Sequence, residues 1–345
     1  MAGRLPVVPR PEADERLSSW LTRLAGLYAM PVDALLGHLG VGGTTVHDLE
    51  WRLPEGEGAS IARGTGISPE ELQAMTFGNI VPDARMMIAQ RNRYRCPLCL
   101  SDTREAGVRR KAAAFPWTWR CPIHGASYVT STGAELESLL GNERLAALDR
   151  HAEHGAARLS AWVRGEDDGD ERVPAVPAML DLLTARHRKP SPPSLSEQPR
   201  MSLQERRDNH AFLTRPIVRQ ALTVVVPEYD LVAPVLTKPV RAGLSSLATA
   251  SLLQAYALAV GIGRLAEDPV DPVVAVLLAS DAAGEGRVRT VLRKWPLTSR
   301  RCVYARFWRA QRSERDREAA LKAARGPQSH KLRFSQSHYF RYAVS

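Results

Sequence analysis

Two short motifs constrain this chain more than any other feature: Cys96-Pro97-Leu98-Cys99 and Cys121-Pro122-Ile123-His124, with 21 residues between them. Three thiols and one imidazole, arranged as C-x2-C and C-x2-H, match the ligand number and softness of tetrahedral structural zinc. The spacing therefore predicts one structural Zn2+ held by Cys96, Cys99, Cys121 and His124, within a small zinc ribbon at 91–130. A set supplied entirely by protein keeps no position for an activated water, so the ion is expected to be structural and not catalytic. Pro97 and Pro122 each follow the first ligand of a pair, as tight knuckle turns require. With only four cysteines in the chain and three used this way, disulfide scaffolding is not expected, and a reducing cytoplasmic compartment is. Met1 to Arg16 carries no apolar run of the secretory kind, which leads to the same expectation. The fourth cysteine, Cys302, stands among Arg300, Arg301 and Tyr304 and is expected in the core.

Around the ribbon the periodicity is helical. Leu17, Trp20, Leu21, Leu24, Ala25 and Tyr28 form one apolar stripe, with Asp14 a candidate cap, and a second short helix is expected to start at Val32 after Pro31. A further pair follows around Ser60–Leu72: Gly66 suits a left-handed helix end, Ser68 an N-cap, Pro69 the first turn, and Glu71 a capping box. These pairs predict an N-terminal helix-turn-helix domain at 1–90. Helical signals resume at 136–162, 179–183, 244–262, 272–278, 287–294, 304–312 and 313–324, with linkers expected at Gly165–Glu171 and Arg188–Ser194. Ala242 to Gly263 is uncharged but rich in Ala and Ser, which favours a buried helix over a membrane span. The length of 345 residues fits about two cores. The expected fold is mainly α: the helix-turn-helix, the ribbon, a helical connector with flexible linkers at 131–205, and a basic C-terminal helical domain at 206–345.

Lys and Arg number 47 against 37 Asp and Glu, and the excess is concentrated. From Glu285 onward there are 16 basic and 4 acidic residues, and between Arg91 and Arg120 there are 8 and 2. Localised positive charge points to a polyanion, most simply DNA or RNA. Arg109, Arg110 and Lys111, beside Phe115, Trp117 and Trp119, are one candidate contact; Arg300, Arg301, Arg306, Arg309 and Arg312 are the other. Trp117 and Trp119 are expected to pack the ribbon against its neighbour. In the second helix-turn-helix pair, Glu70, Glu71 and Gln73 occupy the helix that would enter a DNA groove. Carboxylates oppose phosphate there, so a protein partner is expected at this corner. No Walker loop, GxSxG, HExxH or metal-nuclease carboxylate set occurs, so no catalytic residue is assigned.

Leu17-Ser18-Ser19-Trp20-Leu21-Thr22-Arg23-Leu24-Ala25, Thr65-Gly66-Ile67-Ser68, Met75-Thr76, Cys96-Pro97-Leu98-Cys99-Leu100 and Trp119-Arg120-Cys121-Pro122-Ile123-His124-Gly125 together resemble the TniQ/TnsD family of transposition target-selection proteins. The resemblance covers about the first 130 residues. It implies a non-enzymatic adaptor that links a target-bound complex to the transposon AAA+ ATPase. That complex could be an RNA-guided CRISPR Cascade assembly or a DNA attachment site, and relatives often act as homodimers. Family members often carry a further cysteine pair after the second knuckle, whereas Ala126 to Leu139 has none. One zinc is implied here, and no membrane partner. The alternative is a stand-alone, sequence-specific DNA-binding regulator, which would need no ATPase.

Overall fold

The computed structural model describes residues 4–89, 94–101, 107–129, 136, 140–166, 172–193, 202–233, 239 and 241–324. The tail containing Phe334, Tyr339 and Phe340, and most of the acidic Gly165–Glu171 run, lie outside these. Among the described residues the fold is helical, and β-structure is limited to isolated bridges.

Helix α1 (Leu17–Leu27) buries Leu17, Trp20, Leu21, Leu24 and Ala25, the stripe its periodicity predicts. Its N-cap is Arg16, not Asp14. Asp14 has a positive φ of 58°. Its carboxylate accepts from the Ala112 amide at 2.8 Å and its carbonyl from the Lys111 amide at 2.8 Å, so it fastens the ribbon to α1 instead of starting the helix. Four short helices complete the first core: α2 (Val32–His38), α3 (Val46–Trp51), α4 (Glu55–Thr65) and α5 (Pro69–Ala74). The α4–α5 corner follows its local chemistry. Gly66 takes φ +78°, and Ser68 and Glu71 form the reciprocal capping box. Between α1 and α3 the buried Arg16 guanidinium forks onto Glu50, with Nε to Oε1 at 2.9 Å, and Ser18 Oγ donates to the same carboxylate at 2.7 Å.

After α6 (Pro82–Arg85) and the knuckle helix α7 (Pro97–Ser101), the chain builds a second, larger core. Its centre is α8 (Asn142–Val163) crossed by the helix Leu252–Glu267. Between these lie α9 (Val176–Thr184), α10 (Leu203–Asp208), α11 (His210–Leu213), α12 (Leu222–Val225) and α13 (Pro227–Val232), so Leu252–Glu267 is α14. Contact is close because glycines face backbone: a Cβ on Gly155 would sit 1.9 Å from the Ala259 carbonyl oxygen, and one on Gly263 2.0 Å from that of His151. All of α14 from Leu252 to Gly263 is buried. It is shorter than the expected 244–262 helix because Ser251 caps Gln254 and starts the helix afresh after a 3-10 turn at Leu244–Thr249. α15 (Val270–Ala279), α16 (Ala282–Leu292) and α17 (Leu297–Ala324) follow; α17 is one continuous helix where two were expected.

The described part of the Arg188–Ser194 run is not the free linker its Pro and Ser content predicts. His187 N–H donates to Arg219 O at 3.0 Å, Ile217 N–H to Ser191 O at 2.9 Å, and Pro193 is buried. Cys302 also departs from expectation and is exposed. Ser299, Val303 and Phe307 are the buried residues of this part of α17; Cys302 lies one position, about 100°, off that face.

Candidate metal centre

The two knuckles converge through local backbone geometry. On the first, Leu100 N–H donates to Cys96 O at 3.1 Å, closing the turn that brings Cys99 back toward Cys96. On the second, Gly125 N–H donates to Cys121 O at 2.9 Å and Cys121 N–H to Ala126 O at 2.9 Å; Gly125 has φ +64°, a conformation glycine adopts without strain. The turn sits at the tip of a short hairpin bridged at Arg120–Ser127, and Arg95–Val129 pairs the first knuckle with it.

The four expected ligand atoms lie within 4.8 Å of one another. His124 presents Nδ1, at 3.6 Å from Cys96 Sγ, 3.4 Å from Cys99 Sγ and 3.7 Å from Cys121 Sγ; Cys99 Sγ to Cys121 Sγ is 3.7 Å. With Zn–S near 2.3 Å and Zn–N near 2.0–2.1 Å, a tetrahedron has edges of about 3.5–3.8 Å, and these separations agree. Burial raises the Cys121 thiol, but the His124 and Ile123 amides and the His124 and Cys99 side chains outweigh it. The thiol is held below its ordinary value, which favours the thiolate a metal needs. The residues therefore fit one tetrahedral zinc. When bound, it would cross-link the two knuckles.

The ribbon is anchored to the second core. Trp117 and Trp119 are buried. Trp119 packs edge-on against Tyr256 of α14 at 5.3 Å, and Phe115 stacks on Trp117 at 5.0 Å. Arg120 pairs with Asp149 at 2.6 Å and Glu153 at 2.9 Å on α8, and Tyr256 Oη donates to Asp149 at 2.9 Å. Burial, with Asp149 accepting the proton, raises the Tyr256 pKa and keeps the phenol neutral. No sequence pattern links Arg120, Asp149 and Tyr256; their meeting is tertiary.

The remaining expected contacts divide by exposure. Arg109 is exposed, but Arg110 is buried and its guanidinium donates to the Ala13 carbonyl. Lys111 Nζ donates to the Ala74 carbonyl and burial lowers its pKa, opposed by Asp14 and Glu50. Both of these cations face inward and tie the ribbon to the first core. On α17, Arg301, Arg306, Arg309 and Arg312 are exposed and Arg300 half-buried; Arg306 also pairs with Asp271 at 2.9 Å. Glu70 is exposed, Glu71 is engaged with Ser68, and Gln73 is half-buried beside Asn79. Helix α5 has six residues, about 9 Å of axis. Among the described residues no helix is long and apolar enough to cross a membrane.

A comparison with family models matches residues 6–127 to TniQ, a span that includes both knuckles. No curated protein and no solved structure matches the chain.

Proposed function

Because residues 6–127 belong to the TniQ family, we propose that this protein is a non-enzymatic adaptor in DNA transposition that joins a marked target to the transposon AAA+ ATPase. The observation that carries this reading is the family match across both the first helical core and the zinc knuckles. The knuckles support it chemically: three thiolates and an imidazole saturate a tetrahedral ion, so its role would be to hold shape and not to activate water. The exposed arginines of α17 supply the surface for nucleic acid. The exposed Glu70 supplies an acidic contact for protein, since a helix as short and acidic as α5 is poorly suited to a DNA groove.

Size-exclusion chromatography of the purified protein with the transposon AAA+ ATPase, ATP and duplex DNA tests it. A stable co-eluting complex is expected, and Glu70→Lys should weaken ATPase or target-complex capture while sparing DNA retention. Glu71 is left intact because it caps α5. Absence of any complex with the ATPase, combined with tight sequence-specific DNA binding by the protein alone, would favour the stand-alone regulator.

A further inference from the structure

Away from the knuckles, a cavity of about 680 Å³ opens in the second core between the end of α9, the 241–243 turn and α16. Three guanidinium side chains line it: Arg186, Arg241 and Arg287. None of the three is in an ion pair with a described carboxylate. The one acidic residue among the described lining residues, Asp181, is held by Lys294 at 2.7 Å. The nearby Asp281 accepts from the Gly284 amide at 2.6 Å and the Lys189 amide at 2.7 Å; Arg287 and Arg186 also lie close enough to favour its charged form, so it offsets part of their charge without forming an ion pair. Arg287 Nε donates to the Arg186 carbonyl at 2.8 Å, while its Nη2 is buried with no hydrogen-bond acceptor among the described residues. A buried guanidinium N–H without an acceptor is costly, and the Arg287 side chain that carries it also lines the cavity. Val218 and Val291 add apolar wall beside the three cations.

We propose that this cavity seats a backbone phosphate of the bound nucleic acid, held by Arg186, Arg241 and Arg287. The proposal rests on the reading above that the C-terminal half meets nucleic acid. A strand, not a free phosphate, is favoured because the cationic surface continues past the cavity. Arg293 and Lys294 follow α16, and Arg300 on α17 reaches the Arg293 carbonyl at 3.4 Å. A lone phosphate would use only the cavity, whereas a strand would use both.

The test is fluorescence anisotropy of the full chain with a labelled 30-base-pair duplex over a series of salt concentrations, using Arg241→Gln and Arg287→Gln. Arg241 is exposed and its side chain makes no hydrogen bond or ion pair among the described residues, so its variant keeps the fold even if Arg287→Gln loosens α16. Each variant should weaken duplex binding roughly tenfold or more at low salt and reduce the salt slope by about 0.9, one phosphate. If both variants leave affinity and slope unchanged while Arg301→Glu with Arg309→Glu flattens the slope, the cavity proposal is overturned and the nucleic-acid reading stands. If the wild-type chain does not retain the duplex at all, both fall. A second arm measures thermal shift with inorganic phosphate or a mononucleotide alone. Stabilisation of wild type but not of Arg287→Gln, with duplex binding unaltered, identifies a free phosphate ligand and overturns the strand assignment.

Discussion

Glu50 illustrates how much a single side chain holds at the start of α1. Its carboxylate takes the Arg16 fork and the Ser18 hydroxyl in a site closed to solvent, and the same guanidinium lies over the Phe77 ring at 5.2 Å. Removing one partner of a buried pair strands the other charge, which costs more than the pair contributes in net stability. Glu50→Ala is therefore expected to destabilise the first core by about 3–5 kcal/mol in urea unfolding. The double change Arg16→Met with Glu50→Leu should recover most of that loss. Equal losses in the single and double variants would show that packing, not the stranded charge, sets the cost. At this scale the sequence was informative about chemistry and silent about direction. The four candidate metal ligands could be read because each pair is local. Arg110 and Lys111 share a basic run with Arg109, but nothing in the run shows that two of the three turn inward onto the carbonyls of Ala13 and Ala74.

Helices whose signals are local matched expectation most closely. The α1 stripe and the Ser68–Glu71 box are written within one or two turns of sequence, and the structure has both. The pairing of α8 with α14 is not written locally, because its signal is a few small residues in two distant segments. It makes a sharp prediction. Alanine favours a helix over glycine by about 1 kcal/mol, yet at Gly263 a methyl group would overlap the His151 carbonyl, 2.0 Å away, and a backbone oxygen cannot swing aside. Gly263→Ala should therefore destabilise the second core by at least about 1–3 kcal/mol. Gly286→Ala on α16, where nothing stands within 4 Å of the new carbon, should stabilise by about 0.5–1 kcal/mol. Thermal unfolding of the two variants beside wild type checks the contrast; a stabilised Gly263→Ala would refute the close crossing.

Across the whole molecule the candidate metal centre is continuous with the core. Cys96, Cys121, Trp117 and Trp119 belong to the same buried cluster as Tyr256, Leu258 and Phe307. Zinc binding is folding free energy where ligands are brought together by the fold, so chelation should lower the unfolding midpoint of the entire second core and shift Trp fluorescence. Cys99→Ser should do the same with reduced zinc content. A midpoint unchanged by chelator, with zinc fully released, would mean the knuckles contribute nothing to that core. The sequence marked out the ribbon as a module, but its seat on α8 and α14 depends on Arg120, Asp149, Glu153 and Tyr256, whose separation along the chain hides their association.

That separation also orders events in time. Tyr256 bonds to Asp149 across 107 residues, and synthesis proceeds at about 5–20 residues per second. A nascent chain therefore holds α8 and the Trp-bearing ribbon without their partner for on the order of ten seconds, while the first helical core, complete by Met75, can close at once. The exposed underside of α8 during that interval is where a chaperone would be needed.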